Sequence, residues 1–469
     1  MQPAPSTDSE GHVGVFDGFT AERRPAPAVR EPDSGHAPAV VIGSGCVEIV
    51  RALALAGVPS AVVAPRHDEA RYSRYATTIF DWDWGLPIEE CGEQLLERLL
   101  EFGRRQSEPP VLFFCSDQAV MFTSRFRTRL EPTFRFAVAS PDLVEDVSDK
   151  QRFSSLSARL SLPVPATRVV ESAQAFADAY YDAHLFPLIV KPALRSTTWA
   201  SAEPAKALRV DDLAELRALA QTFRASEQRF VVQECVPGPE SAIESYHVYV
   251  DGRGSVRAEF TGRKIRTMPA EFGHSTALTL TAATDVRDLG RELVTLIGLR
   301  GVAKFDFKRS ARGKLYLLEI NARFSLWHHL GARVGVNIPA MVYADLTGGR
   351  WVSSPTERAT AATWVHPKDV LAARRAGVPM LRWLIWAARC DAKAFWAWND
   401  PLPLLAACGA WIREHLPTTG RRSSSHDTGG SPTRPVLMAL GIRKRDALTA
   451  GASPRRASGS RQRRSRRTS

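Results

Sequence analysis

Two apolar runs near residues 302–308 and 315–323 constrain the fold most, because each carries polar side chains at every second position. Arg312-Gly313 between them predicts a two-residue hairpin turn, since glycine accepts the positive φ that such turns need. Pairing Ala311 with Lys314 then places Asp306 directly opposite Glu319. Because side chains alternate along a strand, the polar ones share one face. They are Lys304, Asp306, Lys308, Glu319, Asn321 and Arg323.

The opposite face of this hairpin is expected to enter the core through Phe305, Phe307, Leu318 and Ile320. On the polar face, two carboxylates directly opposite each other destabilise a sheet unless a positive charge lies between them.

Two carboxylates and a nearby amide oxygen form an all-oxygen donor set, which suits Mg²⁺ or Mn²⁺. We therefore predict that Asp306, Glu319 and Asn321 bind a divalent cation. Mg²⁺ is usually completed by water and substrate phosphates, so a nucleotide is the expected ligand. The alternative is an ordinary charged sheet face, in which Lys304 neutralises Asp306 and Arg323 neutralises Glu319.

Two lysines lie upstream of the hairpin in positions that suit phosphate binding. Lys191 ends the apolar strand "PLIVKP", so its ammonium group is expected to reach a phosphate in a cleft. The alternative is an edge-strand lysine that extends to water. Lys150 lies in the first turn of a predicted helix capped by Ser148, where a cation opposes the helix dipole.

The segment "VVQECVPGPE" predicts a strand end followed by a turn. Exposed backbone at Glu234 could contact an adenine edge while Cys235 and Val236 pack on the ring. Glu240, after the turn, could accept hydrogen bonds from ribose hydroxyls. Each of these residues has a structural explanation when taken singly.

The formal net charge of +12 is concentrated in one segment. Residues 417–469, which we call the basic tail, contain 13 Arg and Lys against two Asp, so the other 416 residues carry about +1. The basic tail and residues 1–37 lack apolar periodicity and are predicted to be disordered. The basic tail is expected either to aid solubility or to attach weakly to nucleic acid or anionic lipid.

Cysteine spacing and hydropathy indicate a cytoplasmic protein. The six cysteines form no Cys-x-x-Cys pair, so neither a zinc site nor a disulfide framework is indicated. No stretch reaches the roughly 20 uninterrupted apolar residues of a membrane span.

The order of elements predicts an α/β domain over residues 38–145, with a Rossmann-like βαβ unit around Gly43-Ser44-Gly45. An acid placed to hold a ribose is missing there, so dinucleotide binding is not favoured. Residues 146–350 predict an α+β region with mostly antiparallel strands, and residues 351–416 a helical, Trp-rich extension.

The succession of "DK" at Lys150, "IVKP" at Lys191, "QECVPGPE", Asp306 and "EINAR" resembles the ATP-grasp superfamily over about residues 38–416. "GVAKFDFKRSARGKLYLLEINARF" and "FTGRKIRTMP" look like its branch of predicted carboxylate–amine ligases. That branch is related to carbamoyl-phosphate synthase large subunits and D-aspartate ligases. The resemblance implies a pre-ATP-grasp domain followed by an ATP-grasp domain, whose two α+β subdomains clasp ATP.

The resemblance also implies roles for individual residues. The nucleotide contacts would be Lys150, Lys191, Glu234, Val236, Glu240 and Lys264. The catalytic residues would be Arg323, Lys191 and Arg263, and the Mg²⁺ ligands Asp306, Glu319 and Asn321. One departure is "KPALRSTTWA" after Lys191, which lacks the glycines of the usual phosphate-covering loop.

These observations predict an ATP-dependent ligase that activates a small-molecule carboxylate as an acyl-phosphate and joins it to an amine. A homodimer is possible. His247, His274, His328 and His329 could act as bases, although structural roles are favoured. The alternatives are a catalytically silent ATP-binding module, or a protein that acts through the basic tail on nucleic acid or a membrane.

Overall fold

The computed structural model describes residues 37–172, 186–193, 207–223, 229–351 and 357–415. The segments predicted to be disordered, apart from Ala37, and the glycine-free loop after Lys191 lie outside the described residues. None of the helices in these ranges combines the length and the apolar character that crossing a bilayer requires.

The helices are interspersed with the strands along the described chain. The α-helices are α1 (Val47–Ala54), α2 (Ile88–Arg104), α3 (Asp117–Arg125), α4 (Arg127–Leu130), α5 (Pro141–Ser148), α6 (Lys150–Arg159), α7 (Leu213–Thr222), α8 (Thr284–Leu296), α9 (Trp327–Arg333), α10 (Ile338–Thr347), α11 (Asp369–Arg375), α12 (Met380–Arg389) and α13 (Leu402–His415). Short 3₁₀ helices span Glu69–Tyr72, Glu240–Ala242 and Glu357–Thr360.

Within the described ranges, the strands form three sheets. They are β1 (Ala39–Ile42), β2 (Ser60–Ala64), β3 (Ala76–Asp81), β4 (Val111–Phe114), β5 (Thr167–Val170), β6 (Leu188–Pro192), β7 (Leu208–Val210), β8 (Phe230–Glu234), β9 (Ile243–Val250), β10 (Val256–Met268), β11 (His274–Thr281), β12 (Gly301–Arg309), β13 (Leu315–Asn321), β14 (Thr363–Val365) and β15 (Ala392–Lys393).

The N-terminal sheet is parallel and has the strand order β3-β2-β1-β4. Strands β1, β2 and β4 are buried along their whole length. Such continuous apolar runs are typical of parallel strands that are covered on both faces. The sheet accounts for the α/β pattern predicted over residues 38–145.

The largest sheet has the order β13-β12-β9-β10-β11-β14-β15 and is antiparallel except for the β14–β15 pair. Helix α8 packs on one face, where Gly290 lies so close to the Tyr246 ring that a Cβ would come within 2.3 Å of it. Because β14 and β15 join this sheet, residues 351–416 do not form the purely helical extension that the sequence predicted.

A smaller antiparallel sheet, β5-β8-β6-β7, carries Lys191 on β6 and Glu234 on β8. It packs against α7 around a core of its own that includes Leu216, Phe223 and Phe230. One continuous core joins the N-terminal sheet to the seven-stranded sheet. The small sheet is therefore the structurally separate unit within residues 146–350.

A buried ion pair fastens the C-terminal region to the N-terminal one. Arg51 on α1 donates to the carboxylate of Asp400 at 3.0 Å, and both side chains are almost fully buried. The same guanidinium also donates to the carbonyl oxygens of Phe395 and Asp400 at 2.9 and 3.0 Å. Ser73 and the Arg74 amide donate to the Asp400 carboxylate as well.

Candidate active site

The β12–β13 hairpin places Asp306 directly opposite Glu319, as predicted. The turn itself differs from the prediction, because Ser310 closes a three-residue loop through its hydrogen bonds to Lys314 and Gly313. Gly313 has a φ of +82°, which glycine adopts without strain.

A bulge at Leu318 compensates for the longer turn. Phe307 pairs with Leu317, whereas Asp306 pairs with Glu319, so Leu318 is the extra residue between the two pairs. Leu317 is fully buried and Leu318 is half-buried. The prediction that Leu318 enters the core was therefore wrong, since the bulge turns Leu317 inward in its place.

Asp306 is a buried carboxylate surrounded by donors, with an exposed fraction of 2%. Its oxygens accept hydrogen bonds from Ser245 Oγ and from Lys304 Nζ, the latter at 2.6 Å. Burial by itself would raise the pKa of Asp306. The ammonium groups of Lys304 and Lys264 outweigh burial and hold that pKa well below its ordinary value. Asp306 is therefore a stable anion at neutral pH.

Glu319 and Asn321 continue the polar row towards solvent. The Glu319 side chain is 59% exposed and lies 4.0 Å from Lys304 Nζ. Asn321 Nδ2 donates to Glu319 Oε1 at 3.1 Å. The row thus presents one buried and one accessible carboxylate, together with an amide, on a single face of the hairpin.

Arg323 links this row to helix α3. Its guanidinium donates to Asp117, the first residue of α3, and to Asn321 Oδ1 at 3.4 Å. The Lys304–Asp306 pair matches the alternative of a charged sheet face. Arg323 forms its ion pair with Asp117, and the Glu319 carboxylate acts on it only through its charge.

Lys191 lies across from this row on the small sheet. Its Nζ donates to Gln233 Oε1 at 3.1 Å. Burial lowers the pKa of Lys191, and the carboxylates of Glu319 and Glu240 partly oppose that shift. Lys191 is therefore within electrostatic reach of both acids, and its contact with a phosphate stays a prediction.

Lys150 is the first residue of α6, and its Nζ donates to the carbonyl oxygen of Pro192, next to Lys191, at 2.6 Å. The predicted cap was wrong. Asp149 caps α6 by accepting from the Gln151 and Arg152 amides at 2.8 Å, whereas Ser148 ends α5. The Asp149 carboxylate at the same helix end lessens the unfavourable interaction of Lys150 with the helix dipole.

The strand end at Glu234 is more fully bonded than the sequence suggested. The Glu234 amide donates to the Ala166 carbonyl at 2.8 Å, and the Cys235 amide donates to the Pro187 carbonyl at 3.2 Å. These two amides are therefore occupied, whereas Glu234 itself is exposed, and the expected contact of this strand end with an adenine edge stays a prediction. Val236 is 9% exposed and is placed at the same strand end.

Glu240 opens a 3₁₀ turn and pairs with Lys308, whose Nζ lies 3.4 Å from Glu240 Oε1. Lys308 also donates to the Pro239 carbonyl at 2.8 Å. Because Lys308 belongs to the polar face of β12, this pair brings the predicted ribose-binding acid to the same hairpin as Asp306.

Lys264 and Arg263 point to opposite faces of β10, because side chains alternate along a strand. Lys264 shares the Asp306 face and contributes to the low pKa of that acid. Arg263 is exposed and stands opposite Glu244, whose carboxylate binds Arg309 on the other face. The structure does not bring Arg263 together with the other predicted residues.

The histidines considered as bases have mainly structural surroundings. Burial lowers the pKa of His247, and it lowers the pKa of His328 to about 3. His329 Nδ1 lies 2.9 Å from Glu48, and His274 is exposed on β11. Because these imidazoles are buried and neutral, structural roles are favoured for His247 and His328.

Sequence reasoning missed Ser245 and Asp117, which hold Asp306 and Arg323. Asp117 follows the buried strand "VLFF", and the end of such a strand is the signal that could have identified it. Ser245 pairs with Asp306 across β9 and β12. Predicting its role would have required knowing that these two strands are neighbours.

Residues 226–367 match a family model described as ATP-grasp in the biosynthetic pathway with Ter operon. A D-alanine–D-alanine ligase of Stutzerimonas stutzeri is 28% identical over 180 residues, or 37% of this chain and 54% of that protein. A D-aspartate ligase of Enterococcus faecium is 24% identical over 264 residues, or 54% of this chain and 62% of that protein. The chain thus spans between half and two thirds of the length of these relatives.

The fold is similar to a solved structure of an N5-carboxyaminoimidazole ribonucleotide synthetase in its ADP complex. The TM-score is 0.54 at 13% identity, and the match covers 73% of this chain and 85% of that one. The likeness to this structure shows the fold, and the match to the ATP-grasp family model is confined to residues 226–367.

Proposed function

We propose that this chain, which carries an ATP-grasp domain, is an ATP-dependent ligase that joins a small-molecule carboxylate to an amine. The observation that carries the proposal is the register of the hairpin, which sets Asp306 opposite Glu319. Both acids lie within the electrostatic reach of lysines on neighbouring elements. Named ligases for D-alanine and D-aspartate among the relatives support this reaction class.

The donor set fits Mg²⁺ or Mn²⁺ delivered with a nucleotide. Within the described residues, no group of three or more His, Cys, Asp or Glu side chains gathers around a common point. Mg²⁺ typically uses one or two carboxylates and takes its remaining ligands from phosphates and water. Asp306, Glu319 and Asn321 would hold the ion, which would neutralise charge on the phosphates when bound.

The side chains of this site perform the remaining tasks. Lys304 and Ser245 fix the Asp306 carboxylate in one orientation. Lys191 on β6 and Lys150, whose Nζ donates to the Pro192 carbonyl at the end of β6, neutralise phosphate oxygens of ATP. Lys264 adds positive charge from the Asp306 face of β10. Val236 packs against adenine, while Glu234 and Glu240 contact the nucleoside.

The reaction needs no protein nucleophile. A carboxylate oxygen of the substrate forms a bond to the γ-phosphorus of ATP as the bond to the β–γ bridging oxygen breaks, which yields an acyl-phosphate and ADP. The amine then attacks the acyl carbon, phosphate leaves, and the amine loses a proton. Arg323, held by Asp117 and Asn321, orients the transferred phosphoryl group.

We further propose that the N-terminal parallel sheet is the Rossmann-like pre-ATP-grasp domain and that the protein works in the cytoplasm. All six cysteines are free thiols, which fits a reducing compartment.

A screen of amino acids and small amines for ADP release, with mass spectrometry of the product, tests the function. The proposal predicts that one carboxylate–amine pair stimulates ADP release and yields a condensed product. ATP binding without turnover for every pair would instead indicate a catalytically silent module. Deletion of the basic tail should leave turnover intact, and loss of turnover would show that the tail belongs to the catalytic unit.

A further inference from the structure

An open cleft lies at the carboxyl ends of β2 and β3 in the N-terminal sheet. Its volume is about 320 Å³, and the residues that line it are Arg66, His67, Arg71, Tyr72, Thr78 and Asp81. Arg66 and His67 follow the end of β2, and Asp81 is the last residue of β3. Ligands of open α/β sheets bind outside the carboxyl ends of the strands. The residues assigned above to ATP and Mg²⁺ are not among those that line this cleft.

The guanidinium of Arg71 is held in one orientation on the wall of the cleft. It pairs with the Asp81 carboxylate at 2.6 Å and donates to the carbonyl oxygen of Arg66 at 2.8 Å. Its Nε lies 3.5 Å from Thr78 Oγ1. A planar guanidinium that is already oriented loses less conformational entropy when it binds a ligand. The cleft therefore presents a pre-organised donor group.

The backbone that carries Arg71 is tied to the neighbouring strand. Arg71 belongs to the 3₁₀ helix Glu69–Tyr72, which Asp68 caps by accepting from the Ala70 amide at 2.9 Å. The other carboxylate oxygen of Asp68 accepts from the Gly45 amide, in the loop after β1, at 2.7 Å. Both oxygens of this buried acid are thus occupied by backbone donors, and they fix the wall of the cleft.

The side chains that line the cleft carry more positive than negative charge. Asp81 is the only acid in the lining and is already paired with Arg71. The exposed guanidinium of Arg66 has no ion-pair partner within the part of the chain that the structure describes. His67, Tyr72 and Thr78 add groups that can donate hydrogen bonds. This combination suits an anion with several oxygens.

We propose that this cleft is a second ligand site, which binds a phosphate group, either as the free ion or as part of a small phosphate ester. A phosphate ester carries a charge of about −1.5 to −2 and three acceptor oxygens, so it can bind Arg66 and Arg71 at once. The volume is at the lower end of the range for small-molecule pockets, which limits the ligand to a small one. The proposal is independent of the ligase reaction.

Isothermal titration calorimetry of the full-length protein with inorganic phosphate and with glycerol 3-phosphate tests this proposal. We expect binding of at least one probe, and affinity about tenfold or more lower in Arg66→Gln, because the variant loses a charged donor. Tighter binding of the ester assigns the site to a phosphorylated small molecule, whereas equal or tighter binding of inorganic phosphate assigns it to the free ion. Arg66 is exposed, so the fold should survive, and circular dichroism checks this.

The matched control is Arg253→Gln, which removes an exposed arginine from the turn between β9 and β10 and should bind both probes like the unmodified protein. Lys191→Met should also bind them normally, because Lys191 belongs to the candidate active site and not to the cleft. The proposal is overturned if neither probe binds, if Arg66→Gln binds as well as the unmodified protein, or if Arg253→Gln loses as much affinity. Loss of binding in Lys191→Met would instead place the phosphate in the candidate active site and would also overturn it. A catalytically silent protein should still bind phosphate in the cleft, so failure of the ligase proposal gives a different result.

Discussion

Replacing Glu319 with glutamine distinguishes two interpretations of the Asp306–Glu319 pair, a metal-binding site and an ordinary charged sheet face. The Glu319 carboxylate is 59% exposed, and Lys304 Nζ lies 4.0 Å away from it. An exposed pair of this kind contributes about 0.5 kcal/mol or less to the free energy of unfolding. If the face is merely charged, Glu319→Gln should therefore change neither stability nor ATP binding.

A ligand role predicts a large effect of the same substitution. A unit charge about 4 Å from a cation contributes roughly 1 kcal/mol in bulk water and about 4 kcal/mol at an effective dielectric constant of 20. Glu319 is partly exposed, so its contribution lies between these limits. Since a factor of ten corresponds to about 1.36 kcal/mol, we expect a loss of about 10²-fold in affinity for ATP with Mg²⁺.

Isothermal titration calorimetry with ATP, in Mg²⁺ and in EDTA, measures this effect. Glu319→Gln should bind ATP more weakly than the unmodified protein in Mg²⁺ and equally in EDTA, with an unchanged thermal midpoint. Glu292→Gln, which removes an exposed acid on α8, is the matched control and should behave like the unmodified protein. Equal Mg²⁺-dependent affinity in Glu319→Gln and the control would refute the metal-binding pair.

Lys191→Met should weaken ATP binding about tenfold or more without lowering the thermal midpoint, because methionine keeps the apolar stem and removes the charge; unchanged affinity in calorimetry would contradict this. Asp400→Asn should lower the free energy of unfolding in urea by about 3 kcal/mol, because it leaves the buried Arg51 without a counter-ion. The exposed control Asp81→Asn should lower the free energy of unfolding by about 1 kcal/mol or less. Equal losses in the two variants would contradict the expectation that the buried ion pair matters more for stability than the exposed one. His328 has a folded pKa of about 3 against 6.5 in the unfolded chain, so the unfolded chain binds the proton first. Its contribution to stability is complete above pH 6.5 and is lost as the pH falls towards 3, by up to about 1.36 kcal/mol per pH unit. His328→Phe should flatten that part of the urea-derived pH profile, and parallel profiles would contradict the reasoning.

The central prediction from sequence was correct although two of its steps were not. A two-residue turn was expected, and the actual loop has three residues; the bulge at Leu318 adds one residue on β13 and restores the expected partner of Asp306. Alternation and turn chemistry thus identify the facing acids. Alternation and turn chemistry do not reveal a bulge, because the free energy of forming it depends on packing against neighbouring strands.

Local sequence patterns could not predict contacts between distant parts of the chain. Arg323 binds Asp117, 206 residues away, and Arg51 binds Asp400, 349 residues away. Neither pair leaves a periodic or spacing signal. Arg263 illustrates the converse limit, because a motif match placed it in the site while strand alternation directs it to the other face of β10.

The bond between Arg51 and Asp400 has a consequence for the order in which the protein is made. Chains emerge from the ribosome from the N-terminus, and domains tend to fold as they appear. Helix α1 emerges early, yet the acid that its guanidinium requires is synthesised more than three hundred residues later. Until then the nascent N-terminal sheet must keep that charge hydrated, so its last packing step waits until Asp400 has been synthesised.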